Sequence, residues 1–218
     1  MKNQLKAISL LVFVLASITL VAQDDPAKDN DQIQSLFKTQ RGTIGGYGAL
    51  TNKFTYIDGR YANMVGVYGG FYVNHSFLLG ISASALTNDL KVPFEYRQEP
   101  LENLSYMYGQ VGMMSEYVVA SNKAVHVAFN LFTGAGFTCQ YKRDEWHDDH
   151  EFDWEGDRDE DWFFVAEPGV QLEVNVFKWM RFSPGISYRA VFNSNGRGLS
   201  DNKLSDISYN ATLKFGKF

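Results

Sequence analysis

From Arg41 onward the chain repeats one pattern: apolar residues at every second position, with small or polar residues between them. The clearest stretch is Phe163–Val176. Phe164, Ala166, Pro168, Val170, Leu172, Val174 and Val176 alternate there with Glu167, Gly169, Gln171, Glu173 and Asn175. Phe182, Pro184, Ile186, Tyr188, Ala190 and Phe192 then alternate with Arg181, Ser183, Gly185, Ser187 and Arg189. The same alternation runs through Val125–Thr138, Phe77–Ala85 and Val65–Val73. A period of two is the signature of a strand, because successive side chains leave opposite faces of the backbone.

The pattern predicts strands near 42–54, 62–74, 76–86, 103–119, 123–141, 162–176, 179–192 and 206–218. Alternation is weakest in the first and fourth. Several runs are longer than the five or six residues typical of a sandwich strand, about the length a tilted strand needs to cross a bilayer. The joins after strands two, four and six are tight: Asn74-His75, Ser121-Asn122, and the stretch around Phe177-Lys178. Those after strands one, three, five and seven are longer and include 87–102, 142–161 and 193–205. Short turns at one end and long loops at the other favour a barrel over a sandwich. The expected fold is all-β, an eight-stranded antiparallel up-and-down transmembrane β-barrel with its apolar face outward.

The polar face sharpens this. Glu116, Glu167 and Glu173 share the inward parity with Arg181, Arg189 and Lys214. In the hairpin of strands six and seven, one register sets Glu173 against Arg181 and the next sets Glu167 against Arg189. Either places a carboxylate opposite a guanidinium. An eight-stranded lumen is just wide enough for side chains to fill, so paired charges predict a plugged interior ahead of a conduction path.

Composition agrees: Phe, Trp and Tyr make up 15% of the chain, with 19 glycines and 5 prolines. The mean hydropathy of −0.24 fits strands that are apolar only at alternate positions. A net charge of −5 argues against nucleic acid as a partner. Lys2 and Lys6 precede an apolar stretch, Ala7–Leu20, and Leu20-Val21-Ala22 offers a small residue for cleavage. Residues 1–22 therefore read as a signal peptide, 23–40 as a polar lead-in and 41–218 as the barrel domain. The single Cys139 excludes an intramolecular disulfide.

The signal peptide, the alternating strands and the closing run Tyr209–Phe218 resemble the small outer-membrane β-barrels, the OmpA-like transmembrane barrels. The resemblance covers residues 41 to 218 and implies export through the periplasm to the cell outer membrane, with outer-membrane lipid as a partner. It also implies recognition of the last strand by the barrel insertion machinery, with Phe218 as the terminal aromatic. Phe218 has the opposite parity to Phe215, Leu213 and Ala211, so it lies either past a bulge or beyond the regular ladder.

Segment 142–161 holds eleven carboxylates against three basic residues. Asp144, His147, Asp148, His150, Glu151 and Asp153 are candidate ligands of a divalent cation, the oxygens suiting Ca²⁺ and the imidazoles Zn²⁺. The spacing of a helix–loop–helix calcium site is missing, so a solvated acidic loop, with Trp146, Trp154 and Trp162 near the outer interface, is the preferred reading. Calorimetric titration with Ca²⁺ and Zn²⁺ separates the two. No other cofactor and no catalytic residue is expected: His126 and His75 lie at tight turns, away from the face where barrel enzymes act on lipid. The loop 87–103, with Pro93, Phe94, Tyr96 and Pro100, either presents a binding surface or packs across the mouth. The run 193–201 reads as a flexible loop. The expected function is non-enzymatic, with a structural, adhesive or binding role exercised through external loops. A lipid A- or peptide-processing enzyme and a narrow channel are the alternatives.

Overall fold

The computed structural model describes residues 45–73, 76–99, 103–142 and 160–218. Eight strands form the barrel: β1 (Gly45–Ile57), β2 (Arg60–Val73), β3 (Phe77–Leu86), β4 (Leu104–Val119), β5 (Val125–Lys142), β6 (Asp161–Phe177), β7 (Met180–Phe192) and β8 (Asp206–Lys217). Each pairs antiparallel with its neighbours in sequence, and β1 pairs with β8, which closes the sheet. Closure removes every edge strand and gives each strand a partner on both sides. No helix of the described residues is long and apolar enough to cross a membrane.

The stagger of the barrel follows from its registers. Starting at Val73, the partners run through Phe77, Tyr117, Phe129, Val170, Ile186, Tyr209 and Phe54 and return to β2 at Asn63. The circuit closes ten residues along the strand (73 minus 63). Eight strands with a stagger of ten tilt by about 40° at ordinary strand spacing and rise. On β6 the outward stretch Phe164–Val176 then spans about 30 Å along the axis, the thickness of a hydrocarbon core.

The alternation resolves into an apolar outside and a polar inside. Val65, Val67, Phe71, Leu79, Ile81, Phe129, Leu131, Leu172 and Ile186 are exposed, Ile81 at 75% and Phe71 at 70%. Glu116, Glu167, Glu173, Arg181, Arg189 and Lys214 are buried. A soluble sandwich has the opposite polarity. Aromatic rings gather at both ends of the outer face. Phe177, Trp179 and Phe215 stack at the tight-turn end. Phe137–Trp162 and Phe164–Phe192 pair at the other, where Trp162 is exposed. Such girdles flank the apolar band of membrane barrels.

Three expectations need correction. The first join is not long: β1 and β2 continue to a two-residue turn, Asp58-Gly59, with φ of 51° and 70°. Positive φ at both central residues is the turn whose twist matches that of the strands, and Asp-Gly favours it. Gly59→Val is expected to cost about 1–2 kcal/mol of unfolding free energy, because a β-branched residue cannot hold that φ without strain; denaturant titration of the refolded barrel would measure it. Secondly, the run 193–201 is folded rather than flexible. Asn195–Gly196 pairs with Leu199–Ser200, and α1 (Asp201–Leu204) follows. Thirdly, of the two carboxylate–guanidinium pairs expected across β6 and β7, Glu173–Arg181 is made and Glu167–Arg189 is not. Phe218 lies beyond the end of β8, keeps the inward parity of Lys214 and packs on Tyr47 at 5.4 Å, with the Arg181 guanidinium 3.9 Å from its ring centroid.

Candidate functional site

The lumen holds two ionic clusters among buried apolar side chains such as Met114 and Phe132. Nearer the tight turns, the Glu116 carboxylate accepts from the Tyr47 hydroxyl at 2.8 Å, the Tyr72 hydroxyl at 3.0 Å and Lys214 Nζ at 2.6 Å. Lys214 also reaches Glu173. Glu173 accepts from Arg181 Nη1 at 3.0 Å, and His126 Nε2 lies 2.7 Å from its Oε2. The other His126 ring nitrogen is 3.0 Å from the carbonyl of Lys123, so this histidine ties the β4–β5 turn to the cluster. Glu116, Glu173 and Lys214 have fully buried side chains. Charges taken out of water at such cost persist only where partners satisfy them.

The second cluster sits further along the axis. Lys53 donates to both oxygens of Glu167, at 2.8 and 2.7 Å. Gln110 and Ser187 complete that carboxylate at 3.0 and 2.6 Å. Tyr108 donates to Gln110, and Asn210 donates to Ser187. Between the clusters the Thr212 hydroxyl reaches that of Thr51 at 3.0 Å.

The inward charges were readable from parity, but their pairing was not. The β6–β7 register sets Ala166 against Ala190 and Gly169 against Ser187, the frame in which Glu167 and Arg189 face each other. Glu167 nevertheless takes Lys53 from across the lumen. The ion pair actually made on this hairpin is Glu173–Arg181, whose strands meet as Asn175 against Arg181. Lys53, Gln110, Tyr47, Tyr72 and His126 were missed as members of the clusters. Their inward parity was the available signal, obscured in β4 because its first residues are buried on both faces.

Arg189 instead holds the mouth. Its Nε donates to the Leu204 carbonyl at 2.7 Å and its Nη2 to the Tyr56 carbonyl at 3.0 Å, with the guanidinium 5.1 Å from the Tyr108 ring centroid. Lys203 pairs with Asp58 at 3.1 Å and donates to the Gly198 carbonyl. The Tyr106 hydroxyl donates to the Arg197 carbonyl, and Gln140 joins Tyr96 to β5. Leu90, Val92, Leu104, Leu199 and Leu204 are buried under these contacts. Segments 87–99 and 193–205 thus form a folded cap, from which Phe94 projects with 67% exposure. Asp161 Oδ2 accepts from Ser194 Oγ and from the backbone N–H groups of Asn195 and Gly196, and so fixes the turn of the cap.

The six candidate cation ligands, Asp144 to Asp153, and His75 lie outside the described residues. Among the described residues, no three His, Cys, Asp or Glu side chains gather as a metal site.

No protein-family model matches the chain, and no curated protein matches it by sequence. Solved structures do match by shape. Neisserial surface protein A superposes with a TM-score of 0.55 at 8% identity, over 80% of this chain and 97% of that one. The N-terminal β-barrel domain of OprF from Pseudomonas aeruginosa does so with a TM-score of 0.50 at 7% identity, over 80% of this chain and 98% of that one. The chain has the fold of the small eight-stranded outer-membrane barrels.

Proposed function

We propose that this chain, with the fold of the small outer-membrane barrels, is exported through the periplasm to the outer membrane. There it plays a structural, adhesive or binding role, without catalysis, through its loop end. One observation carries the reading: the lumen's charged groups are committed to one another while the mouth is capped by folded loops. A filled lumen leaves little path for solutes. Among the described residues, the surface left for partners outside the membrane is the cap, from which Phe94 projects. The outer face meets outer-membrane lipid. For the insertion machinery, β8 offers Tyr209, Leu213 and Phe215 on that face, while Phe218 packs inward.

Refolded protein should show heat-modifiable migration on a detergent gel and β-rich circular dichroism, and give no conductance steps in planar bilayers. Discrete openings would argue for the channel instead. Unchanged lipid A mass profiles in cells with and without the protein are expected, and an altered profile would point to an enzyme. Loss of surface binding on deleting 88–99, with the barrel still folded, would support the cap as the contact region.

A further inference from the structure

Asn52 and Asn63 stand on the outer face of β1 and β2, Asn52 opposite the exposed Val65 of β2 and Ala211 of β8. Thr87 Oγ1 donates to Asn63 Oδ1 at 2.7 Å, and Asn63 Nδ2 donates to Asn52 Oδ1 at 2.8 Å. The chain of donors ends on Asn52 Nδ2, whose two N–H groups meet no acceptor among the described residues. Asn52 is half-buried, between the exposed Leu50 and Phe54. It lies four residues below Tyr56, whose ring packs on Tyr61 at 6.4 Å at the loop-end girdle. Four residues at the barrel's tilt place it about 10 Å deeper along the axis. An amide at that depth finds no water, and polar side chains facing lipid are satisfied by contact with another protein surface.

We propose that the outer face of β1 around Asn52 is the contact between two copies of this chain in the membrane. The inference rests on the outer-membrane reading above. A carboxamide carries both a donor and an acceptor, and its oxygen can accept a second bond beside the one from Asn63. A two-fold axis along the membrane normal brings Asn52 to Asn52, each Nδ2 donating to the partner's Oδ1. Both copies then insert the same way round, as a closed pair requires. The site is open to close approach: a Cβ added at Gly48, four residues along the same face, would meet nothing within 4 Å.

The test is energy transfer between donor- and acceptor-labelled barrels, refolded into phosphatidylcholine vesicles over a range of protein-to-lipid ratios. Wild type should associate above random mixing. Asn52→Leu should associate about tenfold more weakly, while Asn52→Gln, which keeps the amide, should retain association. Heat-modifiable migration confirms that each variant is folded. Vesicle-bound wild type at the random-mixing level, or Asn52→Leu associating as wild type does, would overturn the contact alone. Protein that fails to float with vesicles would overturn the membrane reading, and the contact with it.

Discussion

Lys214→Met is expected to lower the unfolding free energy of the refolded barrel by about 3–5 kcal/mol, the range for removing one partner from a buried ionic cluster. Lys214 bridges Glu116 and Glu173, and all three side chains are fully buried. Met fills most of the same volume, so little of the loss comes from packing. The damage is electrostatic: two carboxylates remain in a narrow lumen without the cation between them. Glu116 would keep the Tyr47 and Tyr72 hydroxyls, and Glu173 would keep Arg181 and His126, so the barrel should still fold. Glu116→Gln in the Lys214→Met background should then cost less than Glu116→Gln alone, a coupling of about 1 kcal/mol or more. The exposed Lys217, three residues away, supplies the control. Lys217→Met should change stability by no more than about 0.5 kcal/mol. The measurement is denaturant titration with the folded fraction read by heat-modifiable migration. A loss below about 1 kcal/mol at Lys214 would mean that the cluster contributes little to stability.

Arg189→Leu should loosen the cap and destabilise the barrel by about 2–4 kcal/mol, because it strips donors from two carbonyls, each of which costs about 1–3 kcal/mol when buried and unpaired. The carbonyls belong to Leu204, at the end of α1, and to Tyr56, at the end of β1. Unlike the other lumen cations, Arg189 is held chiefly by backbone oxygens and an aromatic face, so its substitution leaves no carboxylate stranded. The effect should therefore concentrate at the mouth. Tryptic cleavage at Arg197 and Lys203 is expected to accelerate roughly tenfold, as local opening by about 1.4 kcal/mol would allow. Cleavage of the strands should not change. Lys203→Gln should act more weakly: the Lys203–Asp58 pair is partly exposed, and such pairs contribute about 0–1 kcal/mol. Equal cleavage of wild type and Arg189→Leu would show that the cap is held by its apolar contacts instead.

By itself the sequence determined the barrel and the side-chain faces of the strands that alternate clearly. Alternation decides faces locally, so placing Glu116, Glu167, Glu173, Arg181, Arg189 and Lys214 inside required no knowledge of distant strands. Strand bounds came within a few residues for the same reason, except at Asp58-Gly59, where a tight turn passed for a loop. What the tertiary structure alone decided is which inward residues meet. A stagger of ten carries Lys53 of β1 across the lumen to Glu167 of β6, 114 residues away. Hairpin registers fix only adjacent strands, so they could not foresee that pairing. The cap was hidden likewise, since Arg189 and Leu204 are joined by packing at the mouth and share no periodicity. Asn52 shows the same division: its outward parity is plain in the sequence, but only the closed barrel sets it below the Tyr56–Tyr61 girdle with its donors unanswered. Faces are a property of one strand, whereas partners across a lumen, at a mouth or on an outer wall depend on how all eight strands close.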